Sequence, residues 1–306
     1  MPAAPLFIYT NTQLPALARD MLNAGIAPHI LTDSLHDADI AFGQPDAAGV
    51  MQSARLRWVH IGSAGYTRYD TPEFRAALAA RGAQLTNSSS VHAEPCAEHA
   101  LSLILAHARQ LPQSFHEQRT TRGWPDGVRR AASRLLVGQR LVIFGFGAIA
   151  RRLVDLLAPF HMRIAVVRRQ PTGDEGIPIV SADALGDADH VVNILPDNPA
   201  TRGFFNGGRF AGMQRGAIFY NIGRGTTVEQ PALIDALRSG RLGAAYLDVT
   251  DPEPLPPDHP LWTTPNCFIT PHTAGGFGGE ETALVQHFLE NLARFTAGTA
   301  LADRVM

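Results

Sequence analysis

The chain contains no lysine; all 26 of its basic residues are arginine. A Schiff-base lysine, the lysine of a phosphate-cradling P-loop and a Tyr-x-x-x-Lys reduction centre all need an ammonium group that is nowhere available. Any cationic or acid–base group must therefore be Arg or His. Cysteine is nearly absent too. Cys96 and Cys267 are far apart and lack metal-ligand spacing, so neither a disulfide framework nor a metal site is expected. No apolar run of 18 residues reads as a membrane span. The start, Met1-Pro-Ala-Ala-Pro5, lacks the basic segment and apolar core of a signal peptide, and a cytoplasmic location is expected. A net charge of -2 gives no electrostatic case for nucleic acid or an anionic membrane as partner.

With 306 residues, 45% hydrophobic and 18% charged, the chain suits a globular protein of two domains. Short apolar runs alternate with helical periods. Leu6–Tyr9, Ala38–Phe42, Trp58–Ile61 and Gln84–Thr86 read as strands, with helices around Leu14–Leu22 and over Pro72–Ala80. Asn87 to Ser90 reads as a loop. Ala93–Leu111 is apolar nearly all round and is expected to be a buried helix bridging two domains. Arg119–Arg134, with Gly123, Trp124, Pro125 and Gly127, reads as a surface loop. A second series follows, with strands at Arg163–Val167, Ala188–Leu195, Ala217–Asn221, Ala244–Val249 and Cys267–Thr270, and a last helix from about Glu280 to Phe295. This βα rhythm predicts α/β architecture with parallel sheets.

The second series opens on Leu141-Val-Ile-Phe-Gly-Phe-Gly-Ala-Ile-Ala150. Gly145, Gly147 and Ala150 have the spacing of a G-x-G-x-x-G/A dinucleotide fingerprint, after a predicted strand and before a predicted helix. Gly145 suits a tight turn, Gly147 lets backbone approach a pyrophosphate, and Ala150 allows close helix packing. In such sheets ligands bind beyond the carboxyl ends of the strands. Polar residues gather there at Asn221–Gly225, at Asp248, at Asp251-Pro-Glu-Pro254 and at Pro271–Gly275.

These segments resemble the D-isomer-specific 2-hydroxyacid dehydrogenase family over essentially the whole chain. The matches are Gly145-Phe-Gly-Ala-Ile, Asn221-Ile-Gly-Arg-Gly-Thr-Thr-Val228, Leu247–Leu255 and Thr270-Pro-His-Thr-Ala-Gly275, with Gly62-Ser-Ala-Gly65 and Ala93–His99 nearer the start. The resemblance implies two doubly wound domains: a Rossmann coenzyme domain, 95–272, inserted in a flavodoxin-like substrate domain, 1–94 plus 273–306. It implies catalytic roles for Arg224, Glu253 and His272. His272 is suited to donate a proton near neutral pH, and Glu253 to orient its ring and favour its charged form. Arg224 would bind a carboxylate and polarise the adjacent carbonyl. Backbone N–H groups of Ser63, Ala64 and Gly65 would hold the substrate with Arg224 and His272. The cofactor would lie against Gly145, Gly147, Ala148, Ile149, Arg168, Arg169, Leu195, Pro196, Ile222, Gly223 and Asp248, the last touching carboxamide or ribose.

The strand after the fingerprint ends Val166-Val-Arg-Arg169, where NAD-dependent relatives carry an acid for the ribose 2′-hydroxyl. No carboxylate follows before Asp174. Two guanidinium groups match a 2′-phosphate, so NADPH is the expected cofactor, with NADH possible. The chain most resembles the glyoxylate/hydroxypyruvate reductase branch, and Glu253, where formate-oxidising members carry glutamine, argues against formate oxidation. The alternatives are an NAD-dependent dehydrogenase of bulkier acids and a non-catalytic, nucleotide-sensing corepressor. A homodimer is implied, with Arg119–Arg134 as an arm. Trp124 is equally suited to reach a substrate pocket or to pack locally. Glu229-Gln230 departs from the acidic pair usual after the arginine segment, with no evident consequence.

Overall fold

The computed structural model describes residues 4–173 and 175–306. Asp174 and Met1–Ala3 lie outside the described residues. The chain divides into two compact units, residues 1–92 with 276–306, and residues 93–275.

The first unit holds five parallel strands: β1 (Phe7–Thr10), β2 (Ile30–Thr32), β3 (Ile40–Gly43), β4 (Trp58–Ile61) and β5 (Gln84–Thr86). Their order, β2-β1-β3-β4-β5, is the flavodoxin-like one. β3 and β4 are buried along their whole length, which is why they read as apolar runs, interrupted only by His60 of β4. β2 gives no such signal: it is a three-residue edge strand with Ile30 and Leu31 exposed. On one face, Leu284, Val285, Phe288 and Leu292 of the helix Glu280–Ala297 pack with Ile8, Phe42 and Trp58. Their spacing puts them on one side of that helix.

The second unit holds β6 (Arg140–Phe144), β7 (Arg163–Val167), β8 (His190–Asn193), β9 (Ala217–Asn221), β10 (Leu242–Leu247) and β11 (Cys267–Ile269), all parallel, in the order β11-β10-β9-β8-β6-β7. A parallel bridge between Val166 and Ile179 adds a remnant beyond β7. The chain thus runs outward on both sides of β6, and the switch point lies between β6 and β8. The Gly145 turn leaves β6 there. Two doubly wound parallel sheets are the expected fold.

Two segments depart from expectation. The long helix spans Ser89–Ala108 and so begins before Ala93. Asn87 to Ser90 are its start: the Asn87 side chain accepts from Ser89 N, and Asp303 accepts from both the N–H and hydroxyl of Ser90. Its burial is one stripe, Cys96, Ala97, Ala100, Ile104 and Ala108, with Leu101, Leu103 and Leu105 only half-buried. Within Arg119–Arg134, read as a loop, Asp126–Ala132 is helical, and a further helix, Leu111–Arg119, precedes it. Arg129 ties these two by a bidentate pair to Glu117, which compensates for Gly123, Pro125 and Gly127.

Three histidines are built in as neutral rings. His60 bonds Thr86 Oγ1 at 2.7 Å, His190 sits 3.0 Å from Tyr220 OH, and His107 3.2 Å from Tyr246 OH. Burial pushes His60 down to about 3 and His107 and His190 down to about 4. Unfolded, all three would titrate near 6.5. Below that pH the unfolded chain takes up protons that the folded chain refuses, so stability falls as pH drops from about 6.5 towards 4 and is unaffected by these rings above it. Melting temperature measured from pH 7.5 to 4 should decline steadily below about 6.5; a flat profile would show that the rings take up protons without unfolding.

Candidate active site

The fingerprint loop is shaped for close approach. Gly145 has φ +98°, a left-handed conformation, and a side chain there would come within 3.2 Å of Ile194 O. Gly147 starts the helix Ala148–Leu157 with no side-chain cap, and no atom lies within 4 Å of where its Cβ would be. Uncapped N–H groups beside open space suit a phosphate. Ala150 is fully buried, as close packing requires. Leu195 and Pro196 follow β8, and Ile222 and Gly223 follow β9. A Cβ on Gly223 would lie 2.8 Å from Leu195 O, so the β6, β8 and β9 loops converge.

At the end of β7, Arg168 is not free. Its Nη1 donates to Glu175 Oε1 at 2.9 Å. Glu175 also accepts from the N–H groups of Thr172 and Gly173 and from the Thr172 hydroxyl. The Thr172 N–H bond leads these effects, which hold the carboxyl at about 2. Arg169 is exposed, with no side-chain partner among the described residues.

Arg224 sits in a turn fixed from inside. Buried Asn221 accepts from Gly223 N and donates to Arg224 O at 3.1 Å, and Thr227 Oγ1 donates to the same carbonyl at 2.6 Å. Buried Asn193 bridges Asn221 and Thr227. Gly225 lies so close to the next segment that a Cβ would come within 1.8 Å of Thr250 O. The turn after Arg224 thereby meets the Thr250–Pro254 turn at Gly225. One guanidinium nitrogen, Nη1, bonds Gly223 O at 2.6 Å.

That turn carries Glu253, whose Oε1 accepts from Thr250 N at 3.0 Å and whose Oε2 lies 2.7 Å from His272 Nδ1. A carboxylate can only accept, so Nδ1 carries the hydrogen and Nε2 faces away, unbonded among the described residues. His272 has φ +51°, unusual for a residue with a side chain. Asp248 holds it there. Its carbonyl accepts from His272 N at 2.8 Å, and its buried carboxylate accepts from Thr270 Oγ1, Thr273 N and Ala274 N. His99 Nε2 stands 3.2 Å from Thr270 Oγ1. The side chain expected to meet the cofactor is thus largely engaged in gripping the His272 loop.

Ser63, Ala64 and Gly65 belong to the first unit, after β4. The Ser63 hydroxyl donates to Gly65 O and accepts from Gln44 Nε2, while the N–H groups of all three residues have no partner among the described residues. Sequence reasoning passed over Asn193, Thr227, Gly225, Thr270 and His99. Gly225, Thr227, Thr270 and His99 carried a signal, by lying within the segments that resemble the family; Asn193 acts through distances no spacing encodes.

The family model described as "D-isomer specific 2-hydroxyacid dehydrogenase, NAD binding domain" matches residues 101–274, more than half of the chain. The chain belongs to the D-isomer specific 2-hydroxyacid dehydrogenase family. It is 34% identical over 271 residues to the glyoxylate reductase/hydroxypyruvate reductase of Mus musculus, covering 86% of this chain and 79% of that one. A D-isomer specific 2-hydroxyacid dehydrogenase from Xanthobacter autotrophicus Py2, solved with NADPH and MES, matches at TM-score 0.84 and 25% identity, covering 99% and 98% of the two chains. The NADPH-dependent glyoxylate/hydroxypyruvate reductase of Sinorhizobium meliloti, solved with NADP and sulfate, matches at TM-score 0.81 and 25% identity, covering 99% and 98%. This 2-hydroxyacid dehydrogenase is accordingly an NAD(P)-dependent oxidoreductase of 2-hydroxy and 2-keto acids.

Gly225 gives the sharpest test of how this dehydrogenase places Arg224. Gly225→Ala must force Thr250 away, and overpacking of this kind costs about 1–3 kcal/mol. We expect a lower melting temperature and a loss of turnover larger than that of Gly186→Ala, an exposed position away from the site whose added methyl meets open space. Equal, mild effects of both would show that Gly225 is not needed for the close approach.

Proposed function

We propose that this enzyme reduces a small 2-keto acid of the glyoxylate or hydroxypyruvate type to the D-2-hydroxy acid, with NADPH preferred. The observation that carries the reading is the 2.7 Å contact of His272 Nδ1 with Glu253 Oε2, which leaves Nε2 to face a ligand. His272 gives its Nε2 proton to the carbonyl oxygen as charge builds there, and Glu253 balances the imidazolium. Arg224 binds the carboxylate through its remaining donors and draws electron density from the carbonyl. The unpartnered N–H groups of Ser63 to Gly65 suit an anion as well. The open face of Gly147 and the uncapped helix behind it fit a dinucleotide, and a bound nicotinamide supplies the hydride.

The preference for NADPH rests on the end of β7. Glu175 already accepts four hydrogen bonds, so it is a poor acceptor for a ribose hydroxyl. Arg168 is held with one edge engaged, and Arg169 is exposed; both remain able to meet a 2′-phosphate. The two solved relatives named above carry NADPH or NADP.

A panel of glyoxylate, hydroxypyruvate, pyruvate and bulkier 2-keto acids, followed by NADPH and NADH oxidation, tests the whole reading. Turnover should be fastest with the small acids and with NADPH. His272→Ala should lower kcat by about 10²–10⁴-fold, the usual contribution of a general acid, while NADPH binding persists. No turnover with any acid would favour a nucleotide sensor, and equal specificity constants for the two cofactors would end the NADPH preference.

We also propose a homodimer. Leu111, Phe115, Trp124, Val128, Leu135 and Val137 expose their side chains, and the half-buried leucines of the Ser89–Ala108 helix precede them in the same unit. Exposed apolar side chains concentrated in one stretch of the chain suit a surface that a second copy covers. Sedimentation should give twice the chain mass, and Phe115→Asp with Val128→Asp should shift it to monomer; a monomeric wild type would overturn the assignment.

A further inference from the structure

We propose that Gln230 is a positioning residue for Glu253, and through it for His272; this rests on the reading of Glu253 and His272 given above. Gln230 is the first residue of the helix Gln230–Arg238, and its side chain is buried. A buried carboxamide needs partners for both its oxygen and its nitrogen. Both are supplied by one residue in another element: Asp251 N donates to Gln230 Oε1 at 3.2 Å, and Gln230 Nε2 donates to Asp251 O. The side chain thus pairs with the Asp251 backbone as a neighbouring strand would.

The other hydrogen bonds of the Thr250–Pro254 turn are internal or end on His272. Thr250 Oγ1 donates to Pro252 O, and Glu253 Oε1 accepts from Thr250 N. Among the described residues, Gln230 alone ties the turn's backbone to another element by hydrogen bonds. The position calls for an amide. A glutamate there could accept from Asp251 N, but it would set a second oxygen against Asp251 O and bring another negative charge towards Glu253. The glutamine that breaks the acidic pairing after the arginine segment is therefore the side chain able to make both bonds.

The test is a double-mutant cycle on the intact enzyme, read as kcat/KM for NADPH-dependent reduction of glyoxylate and hydroxypyruvate, with the NADPH dissociation constant measured alongside. Gln230→Met should lower kcat/KM about tenfold or more, because small displacements of a positioned group are costly, and should leave NADPH affinity within about twofold. In a Glu253→Gln background the same change should cost less than about threefold, since the group it places is already gone. A residue that merely stabilised the fold would cost the same in both backgrounds, and that result overturns the proposal, as does a Gln230→Met enzyme as active as the wild type. If Gln230→Met does not fold, Gln230→Glu, which keeps the shape and one hydrogen bond, enters the same cycle with the same expectation. A fully active Glu253→Gln enzyme would sink the reading of the site and this inference together, whereas a crippled Glu253→Gln with an unaffected Gln230→Met sinks this inference alone.

Discussion

Around Asp248 the chain concentrates three hydrogen bonds on one buried carboxylate, from Thr270 Oγ1, Thr273 N and Ala274 N. Two of these donors are backbone groups just beyond His272, and the third is a side chain just before it. The carbonyl of the same residue takes the His272 N–H. A left-handed backbone at a residue bearing a side chain persists only where its surroundings over-determine it. Here they do. The direction of the His272 ring, and so its meeting with Glu253, follows from what Asp248 holds.

The arginine side is built on the same principle with different means. Two backbones approach so closely at Gly225 and Thr250 that no side chain fits between them, and Gly223 does the same against Leu195. Asn193, Asn221 and Thr227 then satisfy the turn's buried polar groups, so the close approach leaves few of them unpaired. Thr250 also begins the turn that carries Glu253. Arg224 and Glu253 therefore share one wall, and displacing Gly225 would disturb both.

Much of this was legible in the sequence. The inner strands declared themselves because burial on both faces demands apolar runs, as in Ile40–Phe42 and Leu141–Phe144. The Gly145 turn was readable because its glycines answer to backbone geometry; the segments carrying Arg224, Glu253 and His272 stood out because they follow strands, and the resemblance to the family is what singled out those three residues within them. Other features were not legible. β2 is short and exposed at a sheet edge, so its composition carries no strand signal. Asn87–Ser90 has the composition of a loop because capping and looping call on the same residue types. The engagement of Asp248 with the His272 loop depends on a residue more than twenty positions away, and Gln230 meets Asp251 across a similar gap. Long-range pairing of this kind leaves no periodicity.

The same contrast separates the two halves of the site. The placing of His272 and Arg224 rests on the buried Asp248 carboxylate, on backbone contacts and on glycines with no room for a side chain, all at the strand ends of one sheet. The part suited to distinguish a 2′-phosphate from a hydroxyl lies beyond β7, at the sheet's outer side, where the side chains of Arg168 and Glu175 organise a short loop. A change at Arg168, Arg169 or Glu175 breaks no backbone packing around His272 or Arg224. The loop after β7 can thus vary without loosening His272 or Arg224, because the two regions draw on separate sets of contacts.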